Sequence, residues 1–148
     1  FRLQKKGQGP PPGVDPMALR AAADHLLAAI GAGTVAACHD LSHGGLAVAA
    51  AEMALGGDLG ADLKTTAMDP MRWDVQLFSE SNGRWLVEVR KDRYEKFGHL
   101  MEGTPATFLG TTGGTSLHLA KGRQWTSLAL SVMRKAWGET IPRQVVVT

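Results

Sequence analysis

The sequence predicts an α+β fold in which helices pack on a mixed β-sheet. Short apolar runs typical of strands alternate along the chain with alanine-rich, amphipathic stretches typical of helices. Near the C-terminus two strand-like runs follow one another with a Gly-Gly pair between them, which indicates a hairpin and argues against a purely parallel sheet. The 148 residues, 44% of them hydrophobic, are enough for one domain with its own core.

The first half of the chain predicts two helices and two strands. Asp15 is a good N-cap and Pro16 suits the first helical position, so a helix starts here and continues to Ile30, before Gly31 and Gly33. Its apolar stripe comprises Leu19, Leu26, Leu27 and Ile30. The elements predicted next are a buried strand over 34–38, a helix over 46–55 and a strand with one solvated face over 59–65.

The second half of the chain predicts three helices and three strands. A second Asp-Pro pair, at 69–70, predicts a short helix that ends near residue 77. The elements predicted after it are a strand over 85–89, a helix over 92–101, strands over 106–109 and 116–119, and a helix over 124–137. We expect the last helix to turn Trp125, Leu128, Val132 and Met133 inward.

The first residues predict a connector rather than part of the domain. Residues 1–13 are polar, lack an initiator Met and end in Pro-Pro-Pro-Gly. Because proline runs form stiff connectors, we interpret 1–13 as a linker or disordered segment and 14–148 as a domain that follows something further upstream. A cloning remnant is the alternative interpretation.

Composition argues against several classes of protein. The formal net charge is only +2 and the basic residues are scattered, so no nucleic-acid partner is expected. Cys38 is the single cysteine, which excludes an internal disulfide or a cysteine-rich zinc site and favours an intracellular, reducing compartment. No apolar run approaches the roughly 20 residues that span a bilayer, so no membrane partner is expected.

The segment 39–45 is the first candidate site. It joins a predicted strand to a predicted helix, where free backbone N–H groups attract anions such as phosphate. We therefore regard His39, Asp40, Ser42, Gly44 and Gly45 as candidate substrate- or nucleotide-binding residues. The alternative is structural: Ser42 or Asp40 caps the helix, and the glycines permit tight packing.

The segment 78–84 is the second candidate site. Ser79, Glu80, Ser81 and Arg84 place hydroxyls, a carboxylate and a guanidinium close together, and these groups can bind ribose and phosphate. The alternative is a solvated loop with a Glu80–Arg84 ion pair of little energetic value. A third glycine-rich segment, 111–115, lacks the lysine of a phosphate-binding loop and is interpreted as a strand connection. No catalytic residue and no metal ligand is predicted in this chain.

Both candidate segments resemble one family. Residues 39–54 read HDLSHGGLAVAAAEMA and resemble the HDxSDGGLAVALAEMA stretch of phosphoribosylformylglycinamidine synthases. Residues 77–84 read LFSESNGR, and with the strand that follows they resemble that family's LFSESxGRxxVEV. The resemblance extends over about 9–137 and places the chain in the aminoimidazole ribonucleotide synthetase superfamily. It implies the α+β fold of that enzyme's C-terminal domain.

The resemblance also implies a function. The family is an ATP-dependent ligase, acting with Mg²⁺, that converts formylglycinamide ribonucleotide to formylglycinamidine ribonucleotide in de novo purine biosynthesis. A glutaminase domain or subunit supplies the ammonia, and the enzyme is cytoplasmic. Catalytic groups and metal ligands would lie mostly in the N-terminal domains, so this chain alone is expected to be inactive and to bind no cofactor. It would contribute one wall of a substrate or nucleotide cleft.

One position departs from the family motif. His43 stands where the family usually has Asp, although an acid suits the positive end of a helix dipole better than a cation does. We take this as mild support for a relaxed site. Two other functions stay open: a domain of another ATP-using member of the superfamily, such as aminoimidazole ribonucleotide synthetase or selenophosphate synthetase, and a non-catalytic scaffold module.

Overall fold

The computed structural model describes residues 13–68 and 70–144. The predicted linker lies outside the described residues except for Gly13, and so does Asp69. The helices are α1 (Pro16–Gly31), α2 (Gly45–Gly57), α3 (Trp73–Phe78), α4 (Tyr94–Leu100) and α5 (Leu130–Gln144), with 3₁₀ turns at Thr65–Ala67 and Lys91–Arg93. The strands are β1 (Val35–Asp40), β2 (Ala61–Lys64), β3 (Trp85–Val89), β4 (Gly110–Thr112), β5 (Ser116–Lys121) and β6 (Gln124–Ala129).

The α+β prediction is confirmed, but the strands form two sheets. Strands β1 and β3 pair antiparallel as a two-stranded sheet. The other four strands have the order β4-β2-β5-β6, in which β2 and β5 are parallel and the other pairs are antiparallel. Gly110 permits the β2–β4 contact, because a Cβ built there would lie 1.8 Å from the carbonyl oxygen of Asp62.

The main core lies between α2, α5 and the inner face of the four-stranded sheet. It contains Ala50, Ala54, Ala61, Leu63, Leu77, Leu117, Leu119, Leu130 and Met133. A smaller cluster of Leu41, Leu46 and Ala49 lies under the start of α2. Two buried polar side chains satisfy each other, since the Thr65 hydroxyl donates to Gln76 Oε1 at 3.0 Å. Removing these apolar surfaces from water is the main stabilising contribution to the fold.

The start of α1 confirms the capping prediction. Asp15 Oδ1 accepts hydrogen bonds from the backbone N–H groups of Met17 at 2.9 Å and Ala18 at 3.3 Å. Two of the stripe residues, however, remain exposed on α1: Leu27 at 65% and Ile30 at 44%. Across 13–68 and 70–144, no helix has both the length and the apolar character needed to cross a membrane.

The predicted Gly-Gly hairpin is wrong. Strands β4 and β5 lie on opposite sides of β2, and Gly113 and Gly114 instead bond to the backbone of Gly60. The real hairpin joins β5 to β6, where Lys121 pairs with Gln124 across a two-residue turn. Its first turn residue, Gly122, has φ +59°, the left-handed conformation that such turns require. The strand predicted at 106–109 is also wrong, because β4 begins only at Gly110.

The helix predicted over 124–137 is half wrong. Residues Gln124–Ala129 form β6, whose ladder with β5 overrides local helix propensity. Trp125 and Leu128 on this strand are exposed, and so is Val132 on α5. Of the four residues expected to point inward, only Met133 is buried.

Two further predictions need adjustment. The strand predicted over 34–38 begins one residue later, at Val35, and alternates half-buried with exposed residues instead of being fully buried. Helix α3 begins at Trp73, three residues after Pro70. Its N-cap residue is Arg72, whose side chain makes no capping hydrogen bond.

Candidate functional site

The loop between β1 and α2 has an unusual backbone because two consecutive glycines begin the helix. Gly44 has φ +78° and Gly45 has φ +63°, so both adopt the left-handed conformation, which is unfavourable for residues other than glycine. Gly44 is the N-cap of α2, and no side-chain hydrogen bond from this loop caps the helix. The alternative in which Ser42 or Asp40 caps α2 is therefore wrong.

The structure brings the two predicted segments together. The backbone N–H of Gly44 donates to Glu80 Oε1 at 2.8 Å, across 36 positions of sequence. Gly45 packs against the same loop so closely that a Cβ would lie 2.7 Å from the Ser79 carbonyl oxygen and 2.9 Å from that of Leu77. The carboxylate of Glu80 thus occupies the anion-attracting start of α2.

The Arg84 side chain donates hydrogen bonds to Ser79 and Ser81 of the second segment. Its Nη2 donates to the carbonyl oxygen of Ser79 and, at 3.0 Å, to Ser79 Oγ, while its Nε donates to the carbonyl oxygen of Ser81 at 3.3 Å. Partial burial lowers the pKa of the Arg84 guanidinium. The Glu80–Arg84 ion pair of the solvated-loop alternative is not among the ion pairs of the described residues. The backbone carbonyl of Arg84 also accepts from Leu41 N–H at 2.9 Å, which ties the two loops at a second point.

His39 connects β1 to the body of α2. Its Nδ1 lies 2.6 Å from the carbonyl oxygen of Asp40, and its Nε2 lies 3.1 Å from Glu52 Oε2. Each ring nitrogen thus has an oxygen acceptor within contact distance. His39 is therefore engaged within the fold, and sequence reasoning missed its partner Glu52, whose only signal is its place in the 39–54 motif.

A cavity opens beside the joined loops. It measures about 220 Å³ and is lined by Leu19, Asp40, Leu41, Ser42, Asn82, Gly83, Arg84 and Trp85. Asp40, Ser42 and Arg84 from the predicted site thus converge on it, whereas Gly44, Gly45 and Glu80 form the adjoining contact between helix and loop. Sequence reasoning missed Leu19, which contributes from α1; a Cβ on Gly83 would lie 2.8 Å from its Cδ1.

Other candidate groups are placed elsewhere. In the part of the chain that the structure describes, no three His, Cys, Asp or Glu side chains gather as a metal site would require. Cys38 is exposed on β1, and partial burial, followed by the nearby Asp40 carboxylate, raises the pKa of its thiol. The loop 111–115 connects β4 to β5 and pairs with Gly60, as expected of a strand connection.

Comparisons with known proteins agree with this architecture. The profile of the family described as AIR synthase related protein, C-terminal domain, matches residues 3–119. The phosphoribosylformylglycinamidine synthase subunit PurL of Rhodospirillum rubrum is 39% identical over 137 residues, covering 91% of this chain and 18% of that protein. The PurL subunit of Moorella thermoacetica is also 39% identical over 137 residues, covering 90% of this chain and 18% of that protein. The chain therefore spans less than a fifth of the length of these relatives.

Solved structures resemble the chain in fold. Thermotoga maritima PurL complexed with ATP superposes with a TM-score of 0.71 at 18% identity, covering 81% of this chain and 22% of that one. The same protein complexed with FGAR gives a TM-score of 0.71 at 19% identity, with 81% and 21% covered. At these identities the likeness establishes a shared fold.

Proposed function

This chain belongs to the AIR synthase related protein, C-terminal domain family, and from that premise we propose that it is the C-terminal domain of a phosphoribosylformylglycinamidine synthase. The observation that carries the proposal is similarity of 39% identity over 91% of the chain to a PurL subunit, including both loop segments. The fold supports it independently, because these two segments, distant in sequence, meet through the Gly44–Glu80 hydrogen bond.

The proposed whole enzyme activates the amide oxygen of formylglycinamide ribonucleotide with ATP, after which ammonia displaces phosphate to leave the amidine. Its partners would be the N-terminal domains of the same protein and a glutaminase that supplies ammonia. ATP would act with Mg²⁺, but the described residues offer no group of three metal ligands, so we assign no Mg²⁺-dependent step to this chain. The single exposed cysteine suits a reducing, cytoplasmic compartment.

The role we propose for this chain is to form one wall of a binding cleft. At about 220 Å³ the cavity beside the loops is smaller than the roughly 300–1,000 Å³ of typical ligand pockets, as expected of a half-site completed by another domain. Asp40, Ser42 and Asn82 line it with groups that can hydrogen-bond ribose hydroxyls. Arg84 holds the Ser79–Ser81 backbone in place, so its proposed role is to position the loop.

A segment exchange tests the proposal. The matching segment of Rhodospirillum rubrum PurL would be replaced by this chain, and the hybrid assayed for ATP-dependent amidine formation with glutaminase and glutamine. A parallel hybrid with the Moorella thermoacetica segment, which shares the same 39% identity with this chain, is the matched control. We expect both hybrids to be active. Activity of the control hybrid alone, with this hybrid folded and assembled, would contradict the proposal.

A binding measurement tests the cleft itself. Calorimetric titration of this chain with formylglycinamide ribonucleotide and with ADP, with and without Mg²⁺, would report a half-site that retains affinity. We expect weak binding of formylglycinamide ribonucleotide and none of ADP. Asp40→Asn and Arg84→Ala should abolish that binding, and Lys135→Met, a change on α5, should leave it intact. Binding that survives both loop variants would place the ligand elsewhere.

A further inference from the structure

A second and larger cavity lies on the outer face of the four-stranded sheet. It measures about 410 Å³, within the range of small-molecule pockets. Its lining residues come from β2, the following turn and the segment that leads into β4: Asp62, Lys64, Thr66, Ala67, Phe108, Leu109, Gly110 and Thr111. On β2 the burial alternates, so that Ala61 and Leu63 face the core while Asp62 and Lys64 face the cavity side.

The two charged side chains of this cavity have no partner in the part of the chain that the structure describes. Among the described residues, neither the Lys64 ammonium nor the Asp62 carboxylate takes part in an ion pair or side-chain hydrogen bond. They stand two positions apart on one strand, so both project from the same face. Thr66 and Thr111 add hydroxyl groups at the rim. An unpaired ammonium binds phosphate well, and an unpaired carboxylate accepts hydrogen bonds from sugar hydroxyls.

An exposed aromatic ring completes the cavity. Phe108 is 64% exposed, although it is a large apolar side chain. Tyr94 meets it edge to face, with ring centroids 6.3 Å apart and planes at 85°, a favourable geometry that fixes the orientation of the Phe108 ring. A ring held at the edge of this cavity can stack on a planar ligand group.

The backbone around the cavity is held firmly. The N–H of Lys64 donates to the Leu109 carbonyl oxygen at 2.6 Å, and the β2–β4 ladder continues from there through Gly110. On the other side Leu109 packs against the core cluster under the start of α2. The cation, the carboxylate and the ring are therefore presented by two segments that are fixed to each other, which limits the entropy lost on binding.

We propose that this cavity binds a nucleoside monophosphate, with its phosphate on Lys64, its ribose hydroxyls on Asp62 and its base stacked on Phe108. None of these residues belongs to the segments 39–45 and 78–84, so the site is separate from the proposed cleft. The three ligand parts match the three kinds of group that line the cavity.

Titration of the ¹⁵N-labelled 148-residue chain with AMP, followed by NMR, tests the proposal. We expect amide shifts at 62–67 and 108–111 and weaker binding of adenosine, which lacks the phosphate. Lys64→Met should weaken AMP binding about tenfold, the scale of one charge-assisted hydrogen bond. Phe108→Ala should weaken AMP about fivefold and leave ribose 5-phosphate unaffected, because only AMP carries the stacking base. Lys135→Met and Trp137→Ala, on α5, are matched controls that should change nothing.

Several results would overturn the site. These are no shifts at millimolar AMP, shifts centred on Gly44 and Glu80, inorganic phosphate binding as tightly as AMP, or equal effects of Lys64→Met and Lys135→Met. The side chains altered here are exposed, and amide spectra of each variant report directly whether the fold is kept. Because the segment exchange does not depend on this cavity, failure of either proposal leaves the other standing.

Discussion

Replacing Gly45 by alanine tests the contact that brings the two candidate segments together. Gly45 has φ +63°, where an L-residue is disfavoured by about 1–2 kcal/mol. The added Cβ would also meet backbone atoms of the other loop, the Ser79 carbonyl oxygen at 2.7 Å and that of Leu77 at 2.9 Å. Backbone atoms cannot rotate away, so overpacking adds about 1–3 kcal/mol.

Gly33 supplies a matched control for the backbone effect. It has φ +69°, close to the value at Gly45, but no non-neighbouring atom of residues 13–68 or 70–144 lies within 4 Å of a Cβ built there. Gly33→Ala should therefore lower the free energy of unfolding by only the conformational cost, about 1–2 kcal/mol. Gly45→Ala should lower it by about 2–5 kcal/mol, the sum of the two effects.

Urea unfolding followed by circular dichroism measures both variants against the parent chain. The comparison is valid if the slope with denaturant stays unchanged, because only the midpoint then reflects stability. Equal losses in the two glycine variants would mean that the 78–84 loop does not lie against the start of α2 in solution. The joined-loop geometry, and with it the proposed cleft wall, would then be refuted.

Three further predictions follow from individual contacts. Glu80→Ala removes the acceptor for Gly44 N–H and should cost about 1 kcal/mol in urea unfolding, as loss of a helix cap does, whereas equal stability would mean that the bond is not formed. Thr65→Val removes the buried donor to Gln76 and should cost about 1–2 kcal/mol, against less than about 0.5 kcal/mol for the exposed Thr111→Val. Partial burial, followed by the Asp40 carboxylate, raises the pKa of the Cys38 thiol, so its thiolate fraction at pH 8 should be below that of a free cysteine. Its rate of alkylation by iodoacetamide should be lower for the same reason. Asp40→Asn should raise that rate, and an unchanged rate would contradict the role of Asp40.

Local signals predicted the first half of the fold well. The Asp15–Pro16 cap, the Gly-Gly helix start and the alternation in β2 are short-range features, and each gave an element close to its observed bounds. The errors concentrate where pairing is long-range. Gln124–Ala129 became a strand because β5 offers it a ladder, and β4 and β5 are separated because β2 inserts between them. Neither partner can be identified from a local pattern.

In the candidate site, too, local sequence identified the residues but not their long-range contacts. The two motifs identified residues that do meet in space, but their roles depend on atoms that only the fold brings near. Arg84 was expected to face a ligand or pair with Glu80; its side chain bonds the backbone of its own loop, and the residue also lines the cavity beside the two loops. His39 contacts Glu52, which lies about two turns into helix α2. The outer cavity at Lys64 and Phe108 gave no sequence signal, because its parts lie more than 40 positions apart.

His43 immediately precedes Gly44, the N-cap residue of α2 whose backbone N–H donates to Glu80. A carboxylate near the start of α2 complements the positive end of the helix dipole, and in this chain Glu80 supplies one from the other loop. His43→Asp therefore adds a second acid at the same helix end. The cost of Glu80→Ala should then fall from about 1 kcal/mol to roughly half in the His43→Asp background, because the new acid takes over part of the capping. A double-mutant cycle in urea measures this coupling at low and high salt. Additive effects at both salt concentrations would mean that the two positions act independently, which would contradict this shared capping.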